Sequence, residues 1–465
     1  MPRLPKVDPE RALNGQLAEI AQVLPADFLR NLAKSTKFAE RIKKIDPALL
    51  VWNLVFGYGT SMQRTLADLK RRYCTISDES LAPSSFFDRF NERLVAFLEG
   101  ILQHLLGQSV QSVTPSKILS AFKDVLIFDS TIVRLLDSLS NIFPGAGMPA
   151  GVKIASVLSV ARASLKSLRI YPGTKADVKT FRLDPEIRDH LLLFDLGYFK
   201  YAIMEKIGTL GGFFISRLHG NADPTIIAVN QSCRGRAIDP VGKKLRECLP
   251  LLKRDVLNLM VEVEVARRVY RGKKTIKTMA IRLVGILNEE TEEYHLYLTN
   301  LGCQEFPPAK IAELYRGRWF IELMFKELKS RYALDVISTG KPEIVKALIY
   351  CAMITLVISR RLFIGYRDAM TRGGIKISQE RWAKFLVLHA EAFLRELLKR
   401  AEIPFSESIL WNLALRETED PTPDRERLED IWNAQSVDQF SCSTLIRIQM
   451  LKIGRPPRRP PSIWG

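Results

Sequence analysis

Four side chains suited to holding a phosphate beside a cation stand within fifteen positions of one another: Tyr315, Arg318, Glu322 and Lys329. The stretch from Leu314 to Lys329 has helical periodicity. At about 100° per residue, Leu314, Ile321, Met324, Phe325 and Leu328 form one apolar stripe, and the four polar residues gather on a neighbouring strip roughly 60° wide. A carboxylate on such a strip can ligate a metal ion while a guanidinium, an ammonium and a phenol hold phosphate oxygens. The competing reading is a solvated helix flank with ion pairs at i,i+4 spacing.

Two further carboxylates stand out by their surroundings. Asp129 interrupts the hydrophobic strand Val125 to Arg134, and Asp195 follows the apolar run Leu191 to Phe194. An ionised carboxylate buried without a partner costs several kcal/mol. Asp129 must therefore cap a turn, as Asp-Ser-Thr can, or meet a cation.

Tyr315-x2-Arg318-x3-Glu322-x6-Lys329, with Trp319 and Ile321 between, resembles the Y-R-E-K signature of DDE transposases of the insertion-sequence-four type. Asp129-Ser-Thr is similar to that family's first catalytic block. Asp195-x-Gly197-Tyr198-Phe199 is similar to its second, where the glycine permits a sharp exit from the strand. The resemblance covers Asp129 to Lys329. It implies that Asp129, Asp195 and Glu322 are catalytic and hold two Mg²⁺ ions, or Mn²⁺ as substitute, for in-line displacement at phosphorus. It implies that Tyr315, Arg318 and Lys329 grip the phosphates of the element's ends and that excision passes through a hairpin intermediate. The partner would be double-stranded DNA, both element ends and target, with a homodimer holding two ends.

Arg217 sits where similar transposases carry a basic residue near the active site. Some relatives stack a flipped base on a Trp of the strand that here runs from Tyr294 to Asn300. That position falls at about His295, with Tyr294 and Tyr297 beside it. No G-x-x-x-x-G-K-[ST] loop is present, so ATP is not implied. Two alternatives remain: a catalytically silent DNA-binding or regulatory derivative, which the presence of all three carboxylates disfavours, and a metal-dependent nuclease of the same fold.

The composition agrees with a polyanionic partner. Among 465 residues, 69 Lys and Arg against 51 Asp and Glu leave a net charge of +18, which attracts nucleic acid, though a basic surface kept for solubility would look the same. With 47% hydrophobic residues the chain reads as globular and neither disordered nor membrane-embedded. Six cysteines (Cys74, Cys233, Cys248, Cys303, Cys351, Cys442) lack metal-ligand spacing and read as reduced. The N-terminal residues lack the apolar core of a signal peptide, so a cytoplasmic, nucleoid-associated protein is expected. The apolar run from Ala347 to Ser359 reads as a buried helix that is too short to span a bilayer comfortably.

The elements that must position these residues suggest a multidomain α/β chain: a ribonuclease-H-like mixed-sheet core with a β-rich insertion, flanked by N-terminal and C-terminal helical regions. Residues 1–117 are expected to be helical and DNA-binding. A helix from Thr65 to Tyr73 and a second from Pro83, capped by Ser84 or Ser85, would form a helix-turn-helix, with Arg71, Arg72, Arg89 and Arg93 as phosphate contacts or, equally, as packing residues. Residues 118–220 form the first part of the core, including a helix started by Asp184 and Pro185. Residues 221–300 form the insertion, with a basic hairpin turn from Val269 to Lys274. Residues 301–365 complete the core with the Glu-bearing helix. Residues 366–453 are expected to be helical, from Ser378 to Leu397 and from Glu407 to Leu415, and to serve dimerisation. Residues 454–465 form a basic, Pro-rich tail, either a DNA arm or idle.

Overall fold

The computed structural model describes residues 8–40, 45–60, 65–77, 81–108, 121–161, 164–183, 185–230, 239–251, 255–266, 276–332, 334, 337 and 339–400. The boundary region 109–117, the basic turn at 269–274, the helix expected at 407–415 and the tail at 454–465 lie outside them. The described residues form two compact units. The first draws on the described residues within 8–108, 124–182 and 318–400, the second on those within 121–123 and 183–317.

The first unit begins with six helices: α1 (Pro9–Val23), α2 (Ala26–Ser35), α3 (Pro47–Gly57), α4 (Leu66–Ser77), α5 (Pro83–Phe87) and α6 (Glu92–Gly107). Their starts are written in the sequence. Asp8 accepts hydrogen bonds from the backbone of Glu10 and Arg11, Asp46 from Ala48, and Asn91 from Arg93 and Leu94, and a proline follows Asp8 and Asp46 at the first helical position.

The expected helix-turn-helix does not form as read. Its second helix is only the five residues of α5, and neither Ser84 nor Ser85 caps it, because the N-cap is Ala82 without a side-chain bond. Asn91 restarts the chain as α6.

Strands β1 (Asp124–Arg134), β2 (Gly151–Ser159) and β3 (Ser164–Pro172) follow as antiparallel neighbours, with Asp129 opposite Ser156 and Ser130 opposite Ala155. A four-residue helix, α7 (Asp177–Thr180), closes the segment. The helix expected from Asp184 onward is absent. Residues 185–189 are turns and coil, with Ile187 buried.

The second unit contains β4 (His190–Phe194), α8 (Tyr201–Thr209), β5 (Phe213–Arg217), β6 (Thr225–Val229), the four-residue helix α9 (Leu245–Cys248), β7 (Val256–Ala266), β8 (Ile276–Asn288), β9 (Glu293–Thr299) and α10 (Pro308–Arg316). β4 and β5 are parallel, as a crossover through α8 requires. Gly211, at φ +75°, makes the turn out of α8. β9 returns antiparallel to β5, and β8, β7 and β6 follow antiparallel in turn, so the β-rich insertion extends the sheet.

The first unit is completed by α11 (Trp319–Arg331), α12 (Pro342–Arg372), α13 (Gln379–Leu388) and α14 (Ala390–Lys399). The helix expected from Ser378 to Leu397 is therefore two, parted at His389. α12 is long and apolar enough to cross a membrane, but every residue from Ala347 to Ser359 is buried in protein, so it is a core helix.

Where α11 meets α12 and α13, the core is polar. Glu327 of α11 takes Arg360 of α12 at 2.8 Å and Gln379 of α13 at 2.7 Å. Tyr332 donates to the same carboxylate at 2.9 Å and lies 2.7 Å from Ser359 Oγ. Burial and the neighbouring Glu327 hold the Tyr332 phenol well above its ordinary range. Removing Glu327 leaves a buried guanidinium without its counter-charge. Glu327→Ala should lower the unfolding free energy in urea by about 3–5 kcal/mol, and a loss below about 1 kcal/mol would show the network to be dispensable.

Candidate active site

Asp129 lies in the middle of β1. The four residues before it are all buried, as in a strand covered on both faces. Its side chain is 15% exposed. One carboxylate oxygen accepts the Ser130 backbone N–H at 2.7 Å, and the other accepts Arg318 Nη1 at 3.1 Å. Arg318 Nη2 also donates to Glu322 Oε1. One guanidinium thus bridges two carboxylates that are remote in sequence, one on a strand and one in the first turn of α11. Arg318 is 17% exposed and Glu322 32%, so the cluster opens toward solvent on the glutamate side. In such surroundings the two acids need a cation between them, and Arg318 supplies it.

Strand alternation directs Ser130 to the other face of the sheet, where its hydroxyl donates to Asp177 at 2.6 Å. Lys153 of β2, itself buried, donates to the same Asp177 oxygen at 2.7 Å. This second pair fixes β1 in place one residue from Asp129.

The stretch from Leu314 to Lys329 is not one helix. α10 ends at Arg316, Gly317 and Arg318 form a turn, and α11 begins at Trp319. The apolar stripe of Leu314, Ile321, Met324, Phe325 and Leu328 is buried as expected, but the polar strip is divided. Lys329 remains on the face of Glu322, two turns and ~10 Å further along α11. It is half-buried, and burial depresses its ammonium pKa.

Tyr315 leaves the strip. Only 7% exposed, it packs its ring 5.2 Å from that of Tyr297 and donates its hydroxyl to Phe194 O at 3.4 Å. The phenol expected to grip phosphate instead supports the end of β4, next to Asp195. Its place at the end of α10, before the break, is the reason.

Asp195 is the first residue after β4, half-buried, and precedes the 3₁₀ turn Leu196–Tyr198. Gly197 does not take a positive φ there, so this exit does not use the freedom peculiar to glycine.

The expected base-stacking residues are largely committed within the second unit. Tyr297 is buried against Tyr315, and burial raises its pKa. His295 Nδ1 lies 3.5 Å from Arg217 Nη2; burial first, then the Arg217 charge, lowers its pKa and keeps the ring neutral near pH 7. Tyr294 is half-buried and alternates to the opposite face. Arg217 is exposed at the end of β5.

Of the four N-terminal arginines, Arg72 takes the packing alternative: it is buried and ion-paired with Glu391 of α14 at 2.7 Å. Arg71 is exposed and paired with Asp68. Arg89 reaches Phe38 O at 3.5 Å, and exposed Arg93 reaches Lys37 O at 3.4 Å.

Arg282 of β8 escaped the sequence reading. It is 3% exposed and donates to Leu301 O, Gly302 O and Phe306 O at 2.8–3.1 Å and to Asn258 Oδ1 at 2.9 Å. It thereby fixes the turn that launches α10, and with it Tyr315. Thr299 and Asn300 anchor the same turn: Thr299 Oγ1 donates to Phe214 O at 2.6 Å and Asn300 Nδ2 to Gly212 O at 2.9 Å. The missed signal was the one that exposed Asp129, a lone charge in an apolar strand, and it marks Lys153 equally.

Among the described residues, no three His, Cys, Asp or Glu side chains form a ready-made metal site. The oxygen donors of Asp129 and Glu322 nonetheless suit a hard divalent ion, because the space they share already demands positive charge.

The family profile described as transposase DDE domain matches residues 120–358, more than half the chain and the whole span from Asp129 to Glu322. The chain belongs to this family. Curated proteins similar to this DDE transposase include the transposase for insertion sequence element IS231F of Bacillus thuringiensis subsp. israelensis, 27% identical over 379 residues that cover 73% of this chain and 78% of that one. The transposase for insertion sequence element IS1151 of Clostridium perfringens is 24% identical over 389 residues, covering 75% and 81%. A structure of the piggyBac transposase synaptic complex with hairpin DNA covers 90% of this chain and 87% of its own at 13% identity, with a TM-score of 0.44, a distant likeness.

Arg282 and Arg217 separate anchoring from surface roles. Arg282→Met should cost about 3 kcal/mol or more in chemical denaturation, because it leaves buried carbonyls unpaired, whereas Arg217→Met should stay within about 0.5 kcal/mol. Equal effects would contradict the anchoring role.

Proposed function

We propose that this DDE transposase binds the ends of an insertion element as double-stranded DNA, cuts them by metal-dependent phosphoryl transfer through a hairpin intermediate, and joins them to target DNA. The observation that carries the reading is the meeting of Asp129 and Glu322 on one cationic group, in a family whose profile spans both.

In this reading Asp129, Glu322 and, from the end of β4, Asp195 hold two Mg²⁺ ions, for which Mn²⁺ can substitute. The bound ions would supply activation of the attacking hydroxyl and stabilisation of the leaving oxygen. Arg318 and Lys329 hold DNA phosphates: a guanidinium matches two phosphate oxygens at once, and the partly desolvated ammonium gains most from an anion. Tyr315 acts from behind, keeping the end of β4 in place. Exposed Arg71, Arg93 and Arg217 add phosphate contacts. Two ends must be held together for joining, which calls for a homodimer, and the substrate places the protein with the nucleoid.

The test is a cleavage and joining assay with Mg²⁺ on a duplex carrying the terminal inverted repeats that flank the gene. Asp129→Asn, Asp195→Asn and Glu322→Gln should each reduce cleavage to background while a gel-shift shows end binding retained. An active Glu322→Gln enzyme would refute the ligand role, and nicking without joined product in the wild type would make the protein a nuclease.

A further inference from the structure

The Arg318 guanidinium occupies the place that any cation shared by Asp129 and Glu322 must take. It lies 3.1 Å from Asp129 Oδ2 and donates through its other terminal nitrogen to Glu322. A divalent ion shared by these two carboxylates needs the oxygens that the guanidinium already holds and would stand at contact distance from its positive charge, so the guanidinium withdraws as the ion enters. The local structure permits this. Arg318 precedes the first turn of α11 as its N-cap residue, so its side chain can turn away without moving the helix, and the exposed side of Glu322 gives a way out. Withdrawal needs a new partner, because a guanidinium already desolvated by the fold loses two charge-assisted hydrogen bonds. A phosphate diester offers a geometrically matched replacement.

We propose that Arg318 has two mutually exclusive sets of partners, the Asp129 and Glu322 carboxylates before DNA arrives and a DNA phosphate afterwards. It thereby couples phosphate binding to occupancy of the metal site. The coupling is reciprocal: a phosphate that draws Arg318 away tightens metal binding by the factor by which the metal tightens phosphate binding. The chain without DNA then holds metal weakly and is not armed to cut strands at random. This inference rests on the reading of Asp129 and Glu322 as metal ligands, and its test separates the two.

Free Mn²⁺ is counted by electron paramagnetic resonance during titration of the full-length protein, alone and with a pre-cut duplex carrying the terminal repeat, with binding to the duplex alone subtracted. The wild type should bind Mn²⁺ about tenfold or more tightly with the duplex than without it. Arg318→Met should reach the tightened affinity without DNA and gain nothing further from it. Equal wild-type affinities with and without the duplex overturn the proposal, and this comparison decides the matter even if Arg318→Met fails to fold. Asp129→Asn distinguishes the two levels: if it leaves Mn²⁺ binding unchanged in every sample, the ligand reading itself falls; if it abolishes binding while the wild type shows no dependence on DNA, only the coupling falls.

Discussion

Two carboxylates that meet in partly buried surroundings repel one another and call for a cation between them. The Asp129–Arg318–Glu322 bridge meets that requirement, and much of the surrounding structure keeps it in register. β1 must hold Asp129 at one height, and the Ser130–Asp177–Lys153 group on the opposite face secures it there. α11 must present Glu322 to β1, and Glu327, pointing elsewhere around the same helix, locks its rotation against α12 and α13. Buried polar groups of this kind contribute little to net stability, and their value is to specify one arrangement.

The same economy governs the second unit. Arg282 spends its donors on the turn that leads into α10, and α10 carries Tyr315 to the end of β4. A residue that reads as substrate-facing by spacing therefore acts on the backbone next to Asp195. The break at Gly317 and Arg318 explains the division. Tyr315 lies in the last turn of one helix, while Arg318 sits just before the next, where its side chain reaches both acids.

The parts legible in the sequence were those set by local chemistry. Apolar runs marked β1, β4, β5 and the last three strands of the insertion, whereas the helix start read at Asp184 and Pro185 and the serine cap read at Ser84 or Ser85 did not form. The lone carboxylates within β1 and just after β4 stood out because each follows an apolar run. What could not be read was the identity of each partner. The helical strip holding Tyr315, Arg318, Glu322 and Lys329 assumed an unbroken helix, and nothing in Arg316-Gly317-Arg318 announces the turn beyond one glycine. Arg72 stayed open between phosphate contact and packing because its counter-ion, Glu391, lies far along the chain. Tyr297 looked available for stacking because strand alternation alone does not say which face is covered. Long-range pairing decided each case, and periodicity carries no information about it.

The central claim is that Asp129, Asp195 and Glu322 together hold the divalent ions used for strand cleavage. Anomalous diffraction from crystals of the full chain bound to Mn²⁺ and a pre-cut end duplex tests it most directly. The account predicts Mn²⁺ peaks in contact with carboxylate oxygens of all three residues, with the Arg318 guanidinium turned onto a phosphate. Peaks elsewhere, or Arg318 still bridging the two acids beside a bound ion, would contradict it.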